Sequence, residues 1–159
     1  KTVINKTISK SINTSITLFF LISMALVMMD SGMTTTLAGS IARITGNFYP
    51  IIAPFIGILG SFITGSNTNS NVIFGKLQVS VAESLNVNPY LMAGLQSIAG
   101  SIGVSLGPTT ILMAASASGL TGKESDIYRM VMKPVLITGL ALGIVNYLLL
   151  FVFKINIGM

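Results

Sequence analysis

The chain alternates between long apolar segments and short polar ones, and the first apolar segment predicts a membrane span. Residues 16–29 are uncharged and apolar apart from Thr17 and Ser23, and a turn rich in serine and threonine precedes them. A helix of this kind over residues 11–29 is just long enough to cross about 30 Å of hydrocarbon. The polar residues 30–32 then interrupt the apolar pattern, so we predict that the span ends before them.

The next segment has the pattern of an amphipathic helix. Its apolar residues recur at a spacing of three or four, while polar residues occupy the positions between them. The apolar positions are Met33, Leu37, Ile41 and Ile44. The pattern predicts a short helix over residues 33–45 that lies along the membrane surface.

A polar block in the middle of apolar sequence predicts a re-entrant hairpin. Residues 48–63 are apolar but too few for a comfortable crossing. The block "TGSNTNSN" follows at residues 64–71, and a half-polar helix is predicted from there to about residue 85. Two short helices joined by a polar tip predict a hairpin over residues 48–85. Its tip would lie at membrane depth, where protein or a wet cavity must cover non-helical backbone.

The segment after the hairpin is predicted to be a broken helix. Residues 89–118 are more than one simple span requires, at about 1.5 Å per residue. Pro108, directly after Gly107, lacks a backbone donor and clashes with the preceding turn. We therefore predict two half-helices that meet at this dipeptide.

The last part of the chain predicts a charged helix followed by a final span. Thr121 and Glu124 have the spacing of a capping box, in which threonine caps the helix and glutamate reaches back. The helix that they begin is predicted to end near residue 133. Residues 134–153 are apolar and form the last predicted span.

Composition places all of these helices in a membrane. Hydrophobic residues make up 52% of the chain and charged residues only 8%, with a mean hydropathy of +0.84. Soluble domains carry about 25% charge. The expected fold class is therefore an all-α integral membrane protein with about three transmembrane helices, one of them broken, and a re-entrant hairpin.

Charge gives an orientation and excludes several function classes. Three lysines lie in residues 1–10, and three further basic residues lie in residues 123–133. The positive-inside rule puts both groups in the cytoplasm. Cysteine and histidine are absent, and we find no nucleophile–base set, no metal-ligand set and no basic stripe interleaved with aromatics. We expect no enzyme, no cofactor, no metal and no nucleic-acid partner.

The hairpin tip and the helix break are the candidate substrate site. Neutral amides and hydroxyls beside a helix N-terminus suit a small carboxylate, and their oxygens also suit Na⁺. Sites between discontinuous helices recur in secondary transporters. The alternatives are an exposed loop and a plain proline kink. The candidate residues are Thr64, Ser66, Asn67, Thr68, Asn69, Ser70, Asn71, Gly107, Thr109 and Thr110.

Two further features are open to more than one interpretation. Asp30 directly follows the first apolar run, where a carboxylate is a weak candidate for proton coupling. Its preferred interpretation is a cap for the helix that begins near Met33. In the broken helix, Gln96, Gly100 and Gly103 share one face with a stripe of serines beside them. Close helix packing through small residues is the preferred interpretation of that face.

Three segments resemble the C-terminal part of bacterial lactate permeases. They are "DSGMTTTLA", "PFIGILGSFITGSNTNSNVIFGKLQ" and "GLTGKESDIYRMVMK", in that order along the chain. The resemblance implies uptake of L-lactate, and often glycolate, together with protons across the bacterial cytoplasmic membrane. Members of the family are several times longer, so it also implies that the N-terminal half of the transporter is a missing partner. A non-transporting truncated fragment and a sodium-coupled carrier for another small organic anion are the alternatives.

A more distant similarity concerns the tip alone. The triplet Ser66, Asn67 and Thr68 is similar to that at the hairpin tip of dicarboxylate transporters, which are built from inverted repeats and move like an elevator. This likeness implies that the chain is one half of an inverted-repeat transporter. It is an analogy of fold and implies nothing about substrate by itself.

Overall fold

A computed structural model describes residues 2–154, and within residues 2–18 it describes the side chains of Ile4, Ile12, Ser15 and Ile16. The described residues form seven α-helices and no strand. The helices are α1 Thr2–Asp30, α2 Met33–Thr45, α3 Tyr49–Thr64, α4 Asn67–Ser84, α5 Pro89–Gly103, α6 Pro108–Ala117 and α7 Glu124–Tyr147. Short 3₁₀ turns at Gly46–Phe48 and Val104–Leu106 join α2 to α3 and extend α5, and the π-helix Leu148–Val152 extends α7.

The helical content and the apolar helices confirm the predicted membrane fold class. Two stretches of the described chain, Met33–Thr64 and Glu124–Val152, are long and apolar enough to cross a membrane. The pair Pro89–Leu106 and Pro108–Ala117 adds a third span if its two parts are taken together, and the pair is bent by 50°. The helix break predicted at Gly107 is therefore present as a sharp bend.

The number of spans agrees with the prediction, but their identity differs at the start of the chain. The predicted span over residues 11–29 belongs to the longer helix α1, and the side chains of residues 11, 13, 14, 17 and 18 within it lie outside the described part. Its described apolar part, Phe19–Asp30, is shorter than a span. The predicted surface helix over residues 33–45 instead joins α3 to form the long stretch Met33–Thr64. The buried residues of α2 pack against α4. The placement of α2 along the membrane surface stays a prediction.

Residues 48–85 fold as two antiparallel helices. Tyr49, at the start of α3, contacts Gln78 near the end of α4, and Gly60 lies beside Ser70. The turn needs a glycine because Gly65 has a φ of 66°, which side chains with a β-carbon rarely adopt. Together, α3 and α4 form a helical hairpin, and its re-entrant position in the bilayer stays a prediction.

Helix α5 packs against both arms of the hairpin. Small residues allow this close approach: a β-carbon added to Gly103 would lie 2.5 Å from the carbonyl oxygen of Ile58, and one added to Gly57 would lie 2.9 Å from the β-carbon of Ala99. Helices in lipid associate largely through such packing, because lipid tails are as apolar as leucine. The glycine face of α5 is therefore a packing face, as its preferred interpretation had it.

The two elements predicted after residue 121 are one helix. Helix α7 continues through Pro134, and its N-cap is Lys123 rather than Thr121, so the predicted capping box is wrong. The Glu124 carboxylate instead accepts a hydrogen bond from the Gly122 backbone N–H at 2.9 Å. Gly119 and Gly122, both with positive φ, shape the turn before α7, and the helix begins after Lys123 instead of after Thr121.

Helix α7 runs antiparallel to α3, which shows at which end of the bundle the hairpin turn lies. Gly143 packs on Ile51, whereas Phe62 and Met132 line one apolar cleft. The hairpin turn is therefore at the same end of the bundle as the basic turn that precedes Pro134. By the positive-inside rule we expect this end to face the cytoplasm, and this orientation stays a prediction.

We expect the two ends of the hairpin to be accessible from outside and its turn to be shielded from outside. Cysteines introduced at Asn47 and Asn86, both exposed, should react with a membrane-impermeant thiol reagent added to intact cells. A cysteine at Thr68 should not react, because it lies near the opposite end of the bundle. Reaction of Asn47→Cys and Asn86→Cys from opposite sides would contradict the hairpin topology, and outside labelling of Thr68→Cys would contradict the orientation.

Candidate functional site

The hairpin turn is built by its own hydroxyl side chains. The Thr64 hydroxyl lies 2.8 Å from the Gly60 carbonyl oxygen and 2.9 Å from that of Ser66, and it accepts a bond from the Ser66 N–H. The Ser66 hydroxyl caps α4 by accepting from the Asn69 N–H at 3.3 Å. These two predicted site residues thus fix the shape of the turn, in the way expected of a serine N-cap.

The first backbone N–H groups of α4 lie at the hairpin turn. The first N–H groups of a helix have no acceptor within it and carry the positive end of the helix dipole. In α4 the capping serine occupies the N–H of Asn69, and its carbonyl accepts the N–H of Ser70. The N–H groups of Asn67 and Thr68 come before these, at the turn itself.

A second helix start lies directly against the hairpin turn. A β-carbon added to Gly107, the N-cap of α6, would lie 3.5 Å from the α-carbon of Gly65. One added to Gly65 would lie 3.6 Å from the Thr109 hydroxyl oxygen. Two glycines therefore allow the backbones to touch, and the N-termini of α4 and α6 meet. The structure brings together the tip and the break, and their binding of substrate stays a prediction.

Two asparagines of the polar block pair with the serine stripe of α5. The Asn67 amide donates to the Ser101 hydroxyl at 2.9 Å, and the Asn71 amide donates to the Ser97 hydroxyl at 3.2 Å. The side-chain oxygens of both asparagines and the hydroxyl of Ser61 are buried and accept or donate no hydrogen bond among the described residues. Buried polar atoms normally have a partner. These three oxygens therefore have spare bonding capacity close to the turn.

The remaining site candidates fall into different environments. Thr68 and Thr109 are exposed, and Asn69 and Thr110 are partly buried. Ser70 is fully buried, accepts a bond from Gln96 and donates one to the Gly57 carbonyl oxygen. Its hydroxyl is thus bonded within the protein, and its contact with a ligand stays a prediction.

The structure contradicts the preferred interpretation of Asp30. This residue ends α1, and the N-cap of α2 is Gly32, which has no side-chain capping bond. Gly32 has a φ of 75°, so a left-handed glycine turn separates the two helices. The Asp30 side chain is exposed, and its role in proton coupling stays a prediction.

A buried polar chain that the sequence analysis did not assign runs beside the site. Gln78 and Gln96 face each other across α4 and α5, and Tyr49 and Ser70 bond to them from either end. The sequence does contain a signal for it, because a glutamine within an apolar helix is unusual and needs hydrogen-bond partners when it is buried. Among the residues that the structure describes, no group of histidine, cysteine, aspartate or glutamate could hold a metal ion.

Comparison with known proteins identifies the family. The family model described as L-lactate permease matches residues 1–153. The glycolate permease of Escherichia coli (strain K12) is 39% identical over 83% of this chain and 23% of its own length. The L-lactate permease of Streptococcus iniae is 50% identical over 57% of this chain and 19% of its own length. That of Bacillus subtilis (strain 168) is 37% identical over 92% of this chain and 26% of its own length.

These comparisons also set the limits of the likeness. The chain spans about a quarter of the length of the curated relatives that it matches. No solved structure matches it. Because the family model covers nearly all of the chain, the resemblance seen in its motifs is confirmed, and the chain belongs to the L-lactate permease family.

Proposed function

We propose that this chain forms part of a secondary transporter that carries L-lactate, and also glycolate, across the cell membrane together with protons. The observation that supports this most is the meeting of two helix N-termini at the contact between Gly65 and Gly107. Anions are stabilised by helix N-termini. Relatives named as L-lactate and glycolate permeases suggest that the anion is a small 2-hydroxy acid.

The chemistry of the turn suits a substrate that must bind and then leave. A lactate carboxylate can accept bonds from the first N–H groups of α4 and α6 and from the hydroxyl of Thr109. No fixed cation is needed, and neutral donors hold an anion less tightly than a paired lysine or arginine. The 2-hydroxyl of the substrate is a donor, and the side-chain oxygen of Asn67, which has no partner among the described residues, is a candidate acceptor for it.

Proton coupling needs a group that changes its charge. The described residues include four carboxylates, and Asp30 is the one that directly follows a long apolar run. We keep it as a weak candidate for coupling. Because the relatives are about four times longer than this chain, the rest of the transporter is a second source for this group and for the other side of the site.

Sodium coupling is the second candidate, and one observation favours it. The three unpartnered oxygens of Ser61, Asn67 and Asn71 are neutral and buried. Hydroxyl and amide oxygens are ligands that hard cations accept. They would have to be joined by backbone carbonyls, since three ligands are too few for Na⁺ alone.

Uptake of labelled L-lactate by cells that express the protein from its complete gene tests the proposal. We expect uptake above that of cells without the gene, competition by glycolate, and loss of accumulation when a proton uncoupler is added. Removal of Na⁺ should change nothing. Accumulation that survives the uncoupler and requires Na⁺ would replace proton coupling by sodium coupling. Absence of uptake in cells with a verified amount of inserted protein would favour a non-transporting fragment.

A further inference from the structure

A continuous chain of five hydrogen bonds crosses the interface of α3, α4 and α5. The Tyr49 hydroxyl donates to the Gln78 side-chain oxygen at 2.7 Å. The Gln78 amide donates to the Ala53 carbonyl at 3.1 Å and to the Gln96 side-chain oxygen at 3.1 Å. The Gln96 amide donates to the Ser70 hydroxyl at 3.0 Å, which donates to the backbone carbonyl of the next turn of α3 at 3.2 Å.

The direction of every bond in this chain follows from one backbone group. The Ala53 carbonyl can only accept, so Gln78 must turn its NH₂ group towards it and its oxygen towards Tyr49. The oxygen of Gln96 must then face the same NH₂ group, which leaves its own NH₂ group for Ser70. The arrangement therefore has one consistent set of orientations.

The four hydrogen-bonded side chains are buried, and glycines on α3 provide space for two of them. Tyr49, Gln78 and Ser70 are 0% exposed, and Gln96 is 1% exposed. Glycines make room for two of these side chains. Gly60 lies opposite the Ser70 hydroxyl, and a β-carbon added to Gly57 would lie 3.2 Å from the Gln96 side-chain oxygen. A buried hydrogen-bond network in which every polar group has a partner favours one arrangement of the helices that carry it. A network that loses one bond leaves buried polar groups unpaired, which is energetically costly.

We propose that Gln78, Gln96 and Ser70 are positioning residues that hold the start of α4 against α5, so that the hairpin turn stays beside the helix break. Ser70 lies only one turn after Asn67, and Gln96 lies just over one turn before Ser101, the partner of Asn67. The bond between Ser70 and Gln96 thus joins the two helices about one helical turn from the hairpin turn. The inference rests on the proposed function, since it assigns these residues to the geometry of that site.

Cross-linking measures this positioning independently of transport. Asn67→Cys and Ser101→Cys form a reporter pair, because their native side chains are 2.9 Å apart and the chain contains no cysteine. The complete gene is used, with thiols encoded outside this segment replaced by serine. In the background of Gln96→Met, which keeps the length of the side chain, or of Ser70→Ala, a short bifunctional thiol reagent should link the pair about five- to tenfold more slowly.

A matched control separates positioning from the general loss of a hydroxyl. Ser84→Ala removes a hydroxyl from the same helix, but that hydroxyl bonds only to the Ser80 carbonyl within α4. The cross-linking rate should be unchanged in this variant. Equal rates in Gln96→Met, Ser70→Ala and Ser84→Ala would overturn the proposal. Should Gln96→Met fail to insert, Ser70→Ala decides, since it removes a single oxygen atom.

A second measurement distinguishes positioning from a purely structural role. Without the reporter cysteines, Ser70→Ala should raise the KM for L-lactate about fivefold or more, with the maximal rate per inserted transporter nearly unchanged. A structural role alone would lower the amount of protein and leave the KM as it was, which would contradict the proposal. If the parent protein takes up no lactate, the proposed function fails, and the cross-linking result still decides on the positioning.

Discussion

Replacing Asn67 with alanine is expected to weaken the binding of L-lactate about ten- to a hundredfold. Asn67 is the first residue of α4, next to the turn that touches Gly107 and Thr109. Its amide has an unpartnered oxygen and a second N–H beyond the one that binds Ser101. Loss of one hydrogen bond to a charged group costs about 1.5–3 kcal/mol, and each 1.4 kcal/mol is about tenfold in affinity.

The measurement is the concentration dependence of lactate uptake, with the amount of inserted protein determined in the same cells. Asn69→Ala, whose amide is also at the turn, is expected to act in the same direction. Asn47→Ala is the matched control, because this exposed asparagine lies at the other end of the hairpin. If both alanine variants at the turn transport as well as Asn47→Ala, the polar block is a loop without a role in binding.

Gly103→Ala is expected to separate α3 from α5 and to destabilise the bundle. The new methyl group would lie 2.5 Å from the Ile58 carbonyl oxygen and 2.6 Å from its α-carbon. These are backbone atoms, so no side-chain rotation relieves the clash. Overpacking of this kind costs about 1–3 kcal/mol. Because Gly107 is only four residues further on, the shift should also displace the helix break from the hairpin turn.

A glycine on the same helix gives the control. Gly94 has no atom within 4 Å of the position where its β-carbon would be added. Gly94→Ala should therefore keep or slightly raise stability, since alanine favours helices over glycine by about 1 kcal/mol. The midpoint of thermal unfolding in detergent should fall for Gly103→Ala and not for Gly94→Ala. Equal midpoints would show that the close contact between α3 and α5 is not a constraint.

Under the proposed function, the arrangement as a whole would let a chain with few charges bind an anion. The site proposed here lies between the starts of α4 and α6, and the polar network beneath it carries no charge. Unpaired charges in lipid are costly, whereas amides and hydroxyls that bond to one another are tolerated. The exposed residues Thr68 and Thr109 lie at the open side of this site. In a family member of full length, the other three quarters of the protein would supply the residues that cover Thr68 and Thr109.

The sequence by itself determined the class of protein and the positions of its main interruptions. Low charge and long apolar runs indicated a helical membrane protein, and the family model confirmed the resemblance to lactate permeases that three motifs carried. Gly65 and Gly107 were also identifiable, because polar residues beside one and proline after the other mark breaks in a helix. These features are local, and local pattern is sufficient to find them.

Only the tertiary structure decided which polar residues are free and which are used within the protein. Ser70 and Asn67 look alike in the block "TGSNTNSN", yet Ser70 is enclosed by Gln96 and Gly57, while Asn67 keeps an unpartnered oxygen. The difference arises because α3 and α5 both pack against α4 at Ser70. The same packing joined α2 to α3 and merged the last two predicted elements into α7. Periodicity finds the face of a helix, but the partner that covers it is a property of the fold.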